Sequence, residues 1–259
     1  MNNFLELKNI SKHFNIDKKI KVLKNLSYNF NKGKMYSLMG PSGSGKSTLL
    51  NLISLIDRPS LGSIKFNDKL VIGMQNGHTI SVQNMTDFAL QERVDIGNNF
   101  SFLDLGCGNG WVVRQIAKHN LCNKAVGIDG AEQMIQAAIS RGAGEEYITA
   151  DINSFKSPNK YDLIHSMEVL YYLENPTDVI NNIAKSWLNN GGRFIAGIDL
   201  YYENIDSHSW QEKVGTPMLM LKEPEWIDIF KESGLKNVTS WRANQNKDWQ
   251  GTLVLTGTK

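Results

Sequence analysis

Alternating apolar and polar positions open the chain and predict short β-strands. The alternation runs through three stretches, FLELKNISKHF, VLKNLSYNF and GKMYSLMG. Side chains that alternate in this way suit strands with one buried face. The polar stretch NKGK predicts the turn before the third strand.

Longer apolar runs alternate with amphipathic segments in the second half of the chain. SFLDLG predicts a buried strand, and the helix expected after it has an apolar face at Val112, Val113, Ile116 and Ala117. The same pattern predicts further strands in KAVGID, EEYITADI, YDLIHSMEVLYYL and LNNGGRFIAGIDL, then a helix in EPEWIDIFKESGL and two antiparallel strands in KNVTSWRA and GTLVLTGT. Strands that alternate with helices over short connections predict an α/β fold with a doubly wound sheet, whose ligands bind at the carboxyl ends of the strands.

The string GPSGSGKST is a phosphate-binding loop by composition and by context. Gly40, Gly45, Lys46 and Ser47 satisfy the pattern G-x-x-x-x-G-K-[ST], between a predicted strand and a predicted helix. Backbone N–H groups and a lysine in such a loop bind phosphates, and the hydroxyl after the lysine binds magnesium. The candidate phosphate-binding residues are Gly40, Ser42, Gly43, Gly45, Lys46, Ser47 and Thr48.

Residues from about Phe4 to Asp68 resemble the N-terminal part of ABC transporter ATP-binding subunits, most of all the lipoprotein-releasing and macrolide-export type. The specific part of this match is GPSGSGKSTLLNLISLIDRPSLGSIKFND. The resemblance implies a partial P-loop NTPase segment with ATP and magnesium as candidate ligands at the Walker A loop. It also implies that Phe14 stacks on adenine.

The later parts of that family are not recognisable after Asp68. A glutamine loop, an LSGGQ signature, a catalytic glutamate and a switch histidine would be expected, and LSGGQ occurs nowhere in the chain. Hydrolysis needs magnesium held from two sides and a positioned water. ATPase activity is therefore not expected. A vestigial fusion, a segment completed by a partner and a misjoined reading frame all stay open.

A second glycine loop, GCGNG, follows the strand SFLDL. Its glycines, Gly106, Gly108 and Gly110, are spaced two and two, unlike the G-x-G-x-x-G of dinucleotide-binding turns, and Asp104 stands before them. After the next predicted strand, Asp129 stands about 20 residues beyond the loop, the spacing of an acid that binds ribose hydroxyls.

With its companions, this loop resembles motif I of class I S-adenosylmethionine-dependent methyltransferases, over about Met85 to Lys259. The resemblance implies a Rossmann-like sheet that ends in an antiparallel hairpin, and S-adenosylmethionine as the cofactor. It implies that Asp151 binds the adenine amino group and that Ile152 packs on the ring. The candidate cofactor-binding residues are Asp104, Gly106, Cys107, Gly108, Gly110, Asp129, Gly130, Asp151, Ile152 and Ser166.

Four residues near this loop allow structural interpretations as well. Asp104 could brace the loop through backbone donors. Cys107 could be a small filler or a reactive thiol. Trp111 could cover the cofactor or pack on the sheet. His165 suits a buried, hydrogen-bonded position better than a catalytic one.

The acceptor side is predicted from the exit of the fourth strand, HSMEVLYY. Residues after this strand face the methyl group in related enzymes, so Glu168, Tyr171 and Tyr172 are the candidate catalytic residues, although the two tyrosines could equally cover the sheet. The aromatic-rich residues 200–221, LYYENIDSHSWQEKVGTPMLML, are expected to form the acceptor pocket. Aromatic lining suits a small organic molecule or a methylated amine, with a protein acceptor as the alternative.

Composition and charge narrow these interpretations. The chain has 259 residues, 41% hydrophobic and 21% charged, which is ordinary for a globular protein. Residues 1–70 carry 12 Lys/Arg and 4 Asp/Glu, and residues 71–259 carry 16 and 22. We therefore expect a truncated ABC-type segment at 1–70, a linker at 71–84 and a methyltransferase domain at 85–259. The acidic second part also argues against a nucleic-acid partner.

Further absences in the sequence set the remaining expectations. The chain lacks [DNS]-P-P-[YFW] and the Pro-Cys nucleophile of DNA methyltransferases, and it shows neither a signal peptide nor a membrane-spanning run. Cys107 and Cys122 fit no zinc or disulfide spacing, so we expect a cytoplasmic protein without a metal site apart from magnesium with ATP at the Walker A loop.

The expected function is methyl transfer from S-adenosylmethionine to a small molecule. The alternatives are an ATP-binding component of an ABC transporter, a protein methyltransferase and a non-catalytic module that binds S-adenosylmethionine.

Overall fold

The computed structural model describes most of the chain, in the ranges 3–15, 19–41, 43–54, 59, 61–66, 69–247 and 249–259. The chain divides into two compact units, unit 1 (Met1–His78) and unit 2 (Thr79–Lys259). Each unit is described by itself below. Among the described residues, no helix combines the length and the apolar composition that crossing a membrane requires.

Unit 1 is an antiparallel sheet with one short helix. Its four strands, paired in the order β2-β1-β3-β4, are β1 (Asn3–Asn15), β2 (Lys19–Asn31), β3 (Leu61–Phe66) and β4 (Lys69–Leu70). Helix α1 (Lys46–Ile53) follows the phosphate-binding loop. The small core consists of Leu5, Leu7, Ile10, Leu49, Leu52 and Ile64.

The predicted strand GKMYSLMG is wrong. Residues 34–40 form neither strand nor helix, and the side chains of Met35 and Met39 are 99% and 85% exposed. A β-strand needs a neighbour for its backbone hydrogen bonds. The four described strands of unit 1 pair with one another and leave residues 34–40 without such a neighbour.

Unit 2 is built on a seven-stranded sheet. The strands, in the spatial order β10-β11-β9-β8-β5-β6-β7, are β5 (Phe100–Leu105), β6 (Cys122–Asp129), β7 (Glu146–Thr149), β8 (Tyr161–Met167), β9 (Leu188–Ile198), β10 (Lys236–Ala243) and β11 (Thr252–Thr258). Strands β5 to β9 are parallel, whereas β11 runs antiparallel to β9 and β10 antiparallel to β11. The predicted doubly wound sheet with a C-terminal hairpin is confirmed.

Helices cover this sheet, and a buried core lies on either side of it. The α-helices after α1 are α2 (Val71–Ile96), α3 (Trp111–Ala117), α4 (Glu132–Ile139), α5 (Pro176–Asn182), α6 (Trp210–Val214) and α7 (Glu223–Glu232). A π-turn at Ile183–Trp187 and 3₁₀ turns at Leu170–Tyr172 and Ile205–Ser207 complete the described helical structure.

Residues 71–84, expected to be a linker, form the first half of helix α2. Val82, Met85 and Ala89 are buried and recur at helical spacing, so this part of α2 packs into the core of unit 2. The hydroxyl oxygens of Ser81 and of Thr252 on β11 lie within hydrogen-bond distance, at 2.7 Å. Polar residues separate these apolar positions, so the sequence pattern did not predict a helix here.

Candidate functional site

The glycine loop, residues 106–110, joins β5 to α3 at the carboxyl edge of the sheet. The backbone N–H groups of Gly106 and Cys107 both donate to the carbonyl oxygen of Ile128, at 2.8 and 2.9 Å. The loop is therefore fixed to the end of β6. A cofactor bound here would lie where parallel sheets bind their ligands.

Two glycines of the loop differ in what surrounds them. Gly106 has φ of 71°, and a Cβ atom there would come within 2.1 Å of a Val169 methyl group. Gly108 has φ of 52°, but a Cβ atom there would meet no atom within 4 Å. The loop is thus closely packed at Gly106 and open at Gly108.

Asp129 connects the end of β6 to the loop. Its Oδ2 accepts a hydrogen bond from the Gly108 N–H, and its Oδ1 accepts one from the Ala131 N–H, both at 2.8 Å. An ionised carboxylate has about four acceptor positions, so Asp129 retains room for a hydroxyl donor. Gly130 follows Asp129, before helix α4. A Cβ atom added at Gly130 would have one neighbour within 4 Å, the Ala150 carbonyl oxygen at 3.9 Å.

Asp104 lies beneath the loop and contacts a histidine. Its Oδ1 is 2.7 Å from Nδ1 of His165, its neighbour on the adjacent parallel strand β8, and both side chains are buried. This contact favours the bracing interpretation of Asp104 and the buried, hydrogen-bonded interpretation of His165. Next to it, the hydroxyl of Ser166 donates to the carbonyl oxygen of Leu105, at 3.2 Å.

Cys107 is a packed side chain. Its Sγ lies 2.7 Å from where a Gly127 Cβ atom would stand, and the residue is buried. Burial, together with the nearby charges of Asp104 and Asp129, raises the pKa of the Cys107 thiol well above its usual range. Because thiols react as thiolates, the reactive-thiol interpretation is disfavoured.

Asp151 and Ile152 follow β7 at the same edge of the sheet. Asp151 is exposed, and its Oδ1 accepts from the backbone N–H and the side-chain amide of Asn153, both at 3.0 Å. Ile152 is buried in the core. Trp111, at the start of α3, packs against the other face of the sheet while half-buried.

Glu168 lies just past β8 in a conformation that is unusual for glutamate. Its φ is 61°, in the left-handed region. Its Oε2 accepts from the Tyr171 hydroxyl at 2.7 Å, and its Oε1 accepts from the Asp199 N–H at 2.6 Å. Burial, followed by the charge of Asp199, raises the pKa of Glu168 well above its usual range.

Asp199 is a site residue that the sequence reading missed. It comes directly after β9, and its Oδ1 is buried without a hydrogen-bond partner among the described residues. Burial raises the pKa of Asp199 to about 6, and a hydrogen bond from Thr252 opposes this rise. The sequence signal that could have identified Asp199 is its place in GIDL, where an acidic residue directly follows an apolar strand.

The two tyrosines after Glu168 differ in exposure. Tyr171 is 3% exposed and Tyr172 46%, and their ring centroids are 4.5 Å apart. Residues 200–221, the acceptor segment, reach this place, since the Leu219 N–H donates to the Tyr171 carbonyl oxygen at 2.8 Å. A cavity of about 560 Å³ is lined by residues of this segment, among them Leu200 and Met218.

The phosphate-binding loop in unit 1 holds its lysine close to the loop backbone. The Lys46 Nζ donates to the carbonyl oxygens of Gly40 and Pro41, both at 2.7 Å. A cavity of about 500 Å³ is lined by Val22 and by the described loop residues Gly43, Gly45, Lys46, Ser47 and Thr48. Ser42 and the side chain of Phe14 lie outside the described residues.

Among the described residues, no cluster of histidine, cysteine and carboxylate side chains has the composition of a metal site.

Comparison with curated proteins gives ABC transporter relatives. The chain is 36% identical to the ABC transporter ATP-binding protein YxdL of Bacillus subtilis over 104 residues, 40% of this chain and 38% of YxdL. It is 45% identical to the lipoprotein-releasing system ATP-binding protein LolD of Rickettsia bellii over 64 residues, 24% of this chain and 29% of LolD. The chain therefore spans less than half of either relative.

Comparison with solved structures gives methyltransferases. A chain from the complex of the Haloferax volcanii Trm112 methyltransferase activator with a methyltransferase is 25% identical, with a TM-score of 0.55 over 62% of this chain and 83% of that one. The N-methyltransferase NodS of Bradyrhizobium japonicum, in complex with S-adenosylhomocysteine, is 20% identical, with a TM-score of 0.51 over 71% and 86%. The second likeness supports the fold alone.

Two family models match the chain. The ABC transporter model matches residues 23–146. The methyltransferase domain model matches residues 96–247, more than half of the chain. The two ranges overlap at 96–146, and the structure places strands β5 and β6 of this overlap in the seven-stranded sheet. The chain therefore belongs to the methyltransferase domain family and carries an ABC transporter-like segment at its N-terminal end.

Proposed function

We propose that residues 85–259 transfer a methyl group from S-adenosylmethionine to a small-molecule acceptor. The observation that carries this proposal is the contact of Asp129 with the Gly108 N–H, which places a carboxylate at the open part of the glycine loop. When bound, S-adenosylmethionine supplies a methyl group on a positively charged sulfur.

The residues present fit this cofactor. The open side of Gly108 admits a ligand that a side chain would exclude, and Asp129 beside it retains acceptor positions for ribose hydroxyls. Asp151, exposed at the end of β7, is available to an adenine amino group. Asp104, Cys107 and Ser166, the other candidate cofactor-binding residues in and beside the loop, are buried.

The role of the protein in the reaction is mainly to position the reactants. Alignment of two reacting groups lowers the barrier to a displacement, and a base is needed only where the acceptor must lose a proton. Glu168, Tyr171 and Tyr172 occupy the exit of β8, and the hydrogen bond from Tyr171 holds the glutamate in place. They remain our candidates for contact with the acceptor.

A small molecule is the favoured acceptor. The acceptor segment lines a cavity of about 560 Å³, which lies in the range of small-molecule pockets, although the lining residues include no phenylalanine, tyrosine or tryptophan. A protein acceptor is the alternative, and in that case the exposed ring of Tyr172 would lie in the interface.

Binding of ATP without hydrolysis is the second candidate function. The cavity over the phosphate-binding loop and the two backbone bonds of Lys46 support it. We expect no ATPase activity, because the hydrolytic motifs of that family are not recognisable in the sequence. We also predict a partner that completes unit 1. The exposed side chains of Met35 and Met39 agree with this prediction.

Calorimetry on the purified full chain tests both functions. We expect saturable binding of S-adenosylmethionine and of S-adenosylhomocysteine. Binding of ATP with no binding of either sulfur nucleoside would reverse the order of the two proposals. A screen of small metabolites for methylated products would then identify the acceptor.

A further inference from the structure

Two acidic residues, Glu168 and Asp199, contact each other at the ends of β8 and β9. The Asp199 N–H donates to Oε1 of Glu168 at 2.6 Å, so the two residues are in direct contact. Glu168 keeps its left-handed backbone while its own N–H donates to the Gly197 carbonyl oxygen at 2.9 Å. Backbone strain of this kind is common at functional sites.

Neither carboxyl group has a cationic partner in the described part of the chain. The neighbours that contact them are hydroxyl groups, from Tyr171 to Glu168 and from Thr252 to Asp199. The nearby cation on β10, Arg242, forms an ion pair with Glu223 at 2.8 Å and lies over the Tyr201 ring at 4.5 Å. Buried charges without a partner are costly, and proteins retain them chiefly where they serve a function.

Asp199 supplies an independent observation. Its Oδ1 is buried and has no hydrogen-bond partner among the described residues. Buried polar atoms are nearly always paired in folded proteins. An acceptor atom that the described part of the protein leaves unpaired beside a second acidic residue matches a donor that arrives with a ligand.

We propose that the methyl acceptor is an amine, whose ammonium group binds between Glu168 and Asp199 and gives a proton to Asp199 Oδ1. This inference rests on the proposed methyltransferase function and adds the chemical class of the acceptor. An alcohol would lack the positive charge that an ionised Asp199 attracts, and a carboxylate would be repelled by Asp199.

The reaction that follows is balanced. The ammonium loses one proton to the Asp199 carboxylate, and the nitrogen lone pair then forms a bond to the methyl carbon. The bond from that carbon to sulfur breaks, and its electron pair stays on sulfur. The products are a methylated ammonium, S-adenosylhomocysteine and a protonated Asp199, which returns its proton to water.

Burial makes this proton transfer easier. It raises the pKa of Asp199 to about 6 and lowers that of an ammonium in the same site, so the two values approach each other. Glu168, whose pKa is also raised, shares the site, and Tyr171, Tyr201 and Arg242 are the other titratable or charged groups around it.

The first test is a binding experiment on the full chain saturated with S-adenosylhomocysteine. Hexylammonium, hexan-1-ol and hexanoate have the same chain and differ in the head group. We expect hexylammonium to bind at least tenfold more tightly than the other two, and we expect Asp199→Asn to abolish this preference. Asp228→Asn, an exposed aspartate on α7, is the matched control and should retain it.

A second titration separates the acceptor from the cofactor, because S-adenosylhomocysteine carries an ammonium group of its own. We expect Asp199→Asn and Glu168→Gln to bind S-adenosylhomocysteine with a Kd within about twofold of the parent. A tenfold loss would show that the two acids bind the cofactor, and the inference would be wrong. Absence of binding by the parent chain would instead refute the proposed function.

Thermal unfolding followed by circular dichroism confirms that each variant folds before these comparisons. Equal binding of the three hexyl compounds, no measurable binding of hexylammonium, or a preference unchanged in Asp199→Asn would each overturn the amine proposal.

Discussion

Asp129 is the residue on which we expect cofactor binding to depend most. Its carboxylate joins the glycine loop to the end of β6 through two backbone N–H groups. We expect Asp129→Ala to weaken the binding of S-adenosylmethionine by about 1–3 kcal/mol, because ribose hydroxyls and the two N–H groups lose their acceptor. Calorimetry measures this, with Asp228→Ala as the control. A Kd equal to that of the parent would contradict the ribose assignment.

The two glycines with different surroundings give opposite predictions. In Gly106→Ala the new methyl group would collide with Val169, so we expect a markedly lower Tm. In Gly108→Ala the left-handed conformation costs only about 1–2 kcal/mol, but the methyl group enters the open space beside Asp129.

Melting curves with and without S-adenosylhomocysteine distinguish these cases. Gly108→Ala should lose the stabilisation that the ligand gives while it retains most of its own stability. A Gly108→Ala variant that binds the ligand normally would show that the open space lies outside the binding site.

Asp199 makes folding stability depend on pH. Its pKa is raised from 3.8 to about 6 in the folded protein, so the folded state holds this proton more tightly than the unfolded chain does. The resulting stabilisation is complete below about pH 4 and is lost as the pH rises through about 6.

Asp199→Asn should therefore be more stable than the parent at pH 7.5, by about 1–3 kcal/mol, with the difference vanishing near pH 4. Urea unfolding at the two pH values measures it. An equal difference at both pH values would argue against a buried, ionised Asp199. The expected gain in stability with a loss of acceptor binding is typical of functional sites.

The sequence singled out Asp129 by its spacing after the glycine loop and Asp151 through the family resemblance. Both follow strands of strong pattern at one edge of the sheet, and their binding roles stay predictions. Asp199 was missed because it contributes to no motif, and its meaning depends on contact with Glu168, which lies about 30 residues earlier in the chain. The contact of Asp104 with His165 could not be predicted from the sequence either, since only the register of β5 against β8 brings the two residues together.

Among the elements, helix α2 shows where the sequence pattern was too weak. Residues 71–84 have polar and glycine-bearing surroundings, yet Val82 and Met85 are buried against the sheet. The segment GKMYSLMG shows the reverse error, a predicted strand that does not form. Its pattern suits a strand, but the described part of unit 1 provides no neighbouring strand for it. Local pattern therefore predicted the parallel core of unit 2 well and the elements at its margins poorly.

Met85 tests whether the middle of α2 belongs to the core of unit 2. Its side chain is fully buried, and its sulfur lies 2.7 Å from where a Gly197 Cβ atom would stand. We expect Met85→Ala to lower the free energy of unfolding by about 2–5 kcal/mol. Ile80→Ala, on the same helix but 47% exposed, should cost far less. Equal effects of the two substitutions in urea unfolding would show that Met85 contributes no packing to that core.

At the scale of the whole molecule, the chain combines two units with separate cores. We therefore expect Lys46→Ala to weaken ATP binding at least tenfold, since Lys46 lines the cavity over the phosphate-binding loop, and to leave methyl transfer unchanged. Parallel assays of ATP binding and of S-adenosylhomocysteine release measure the two effects. Lys34→Ala, an exposed lysine outside the loop, should change neither. A large loss of methyl transfer in Lys46→Ala would reveal cooperation between the units.

The backbone bonds that anchor the acceptor segment have a consequence for how such enzymes diversify. The Tyr202 N–H donates to the Leu221 carbonyl oxygen, and the Leu219 N–H donates to that of Tyr171, so the anchors lie at the two ends of the segment. The described strands of the sheet pair without any residue of the stretch between these anchors. We therefore expect substitutions at its exposed positions to change which acceptor is chosen while the strands that position the methyl donor keep their pairing.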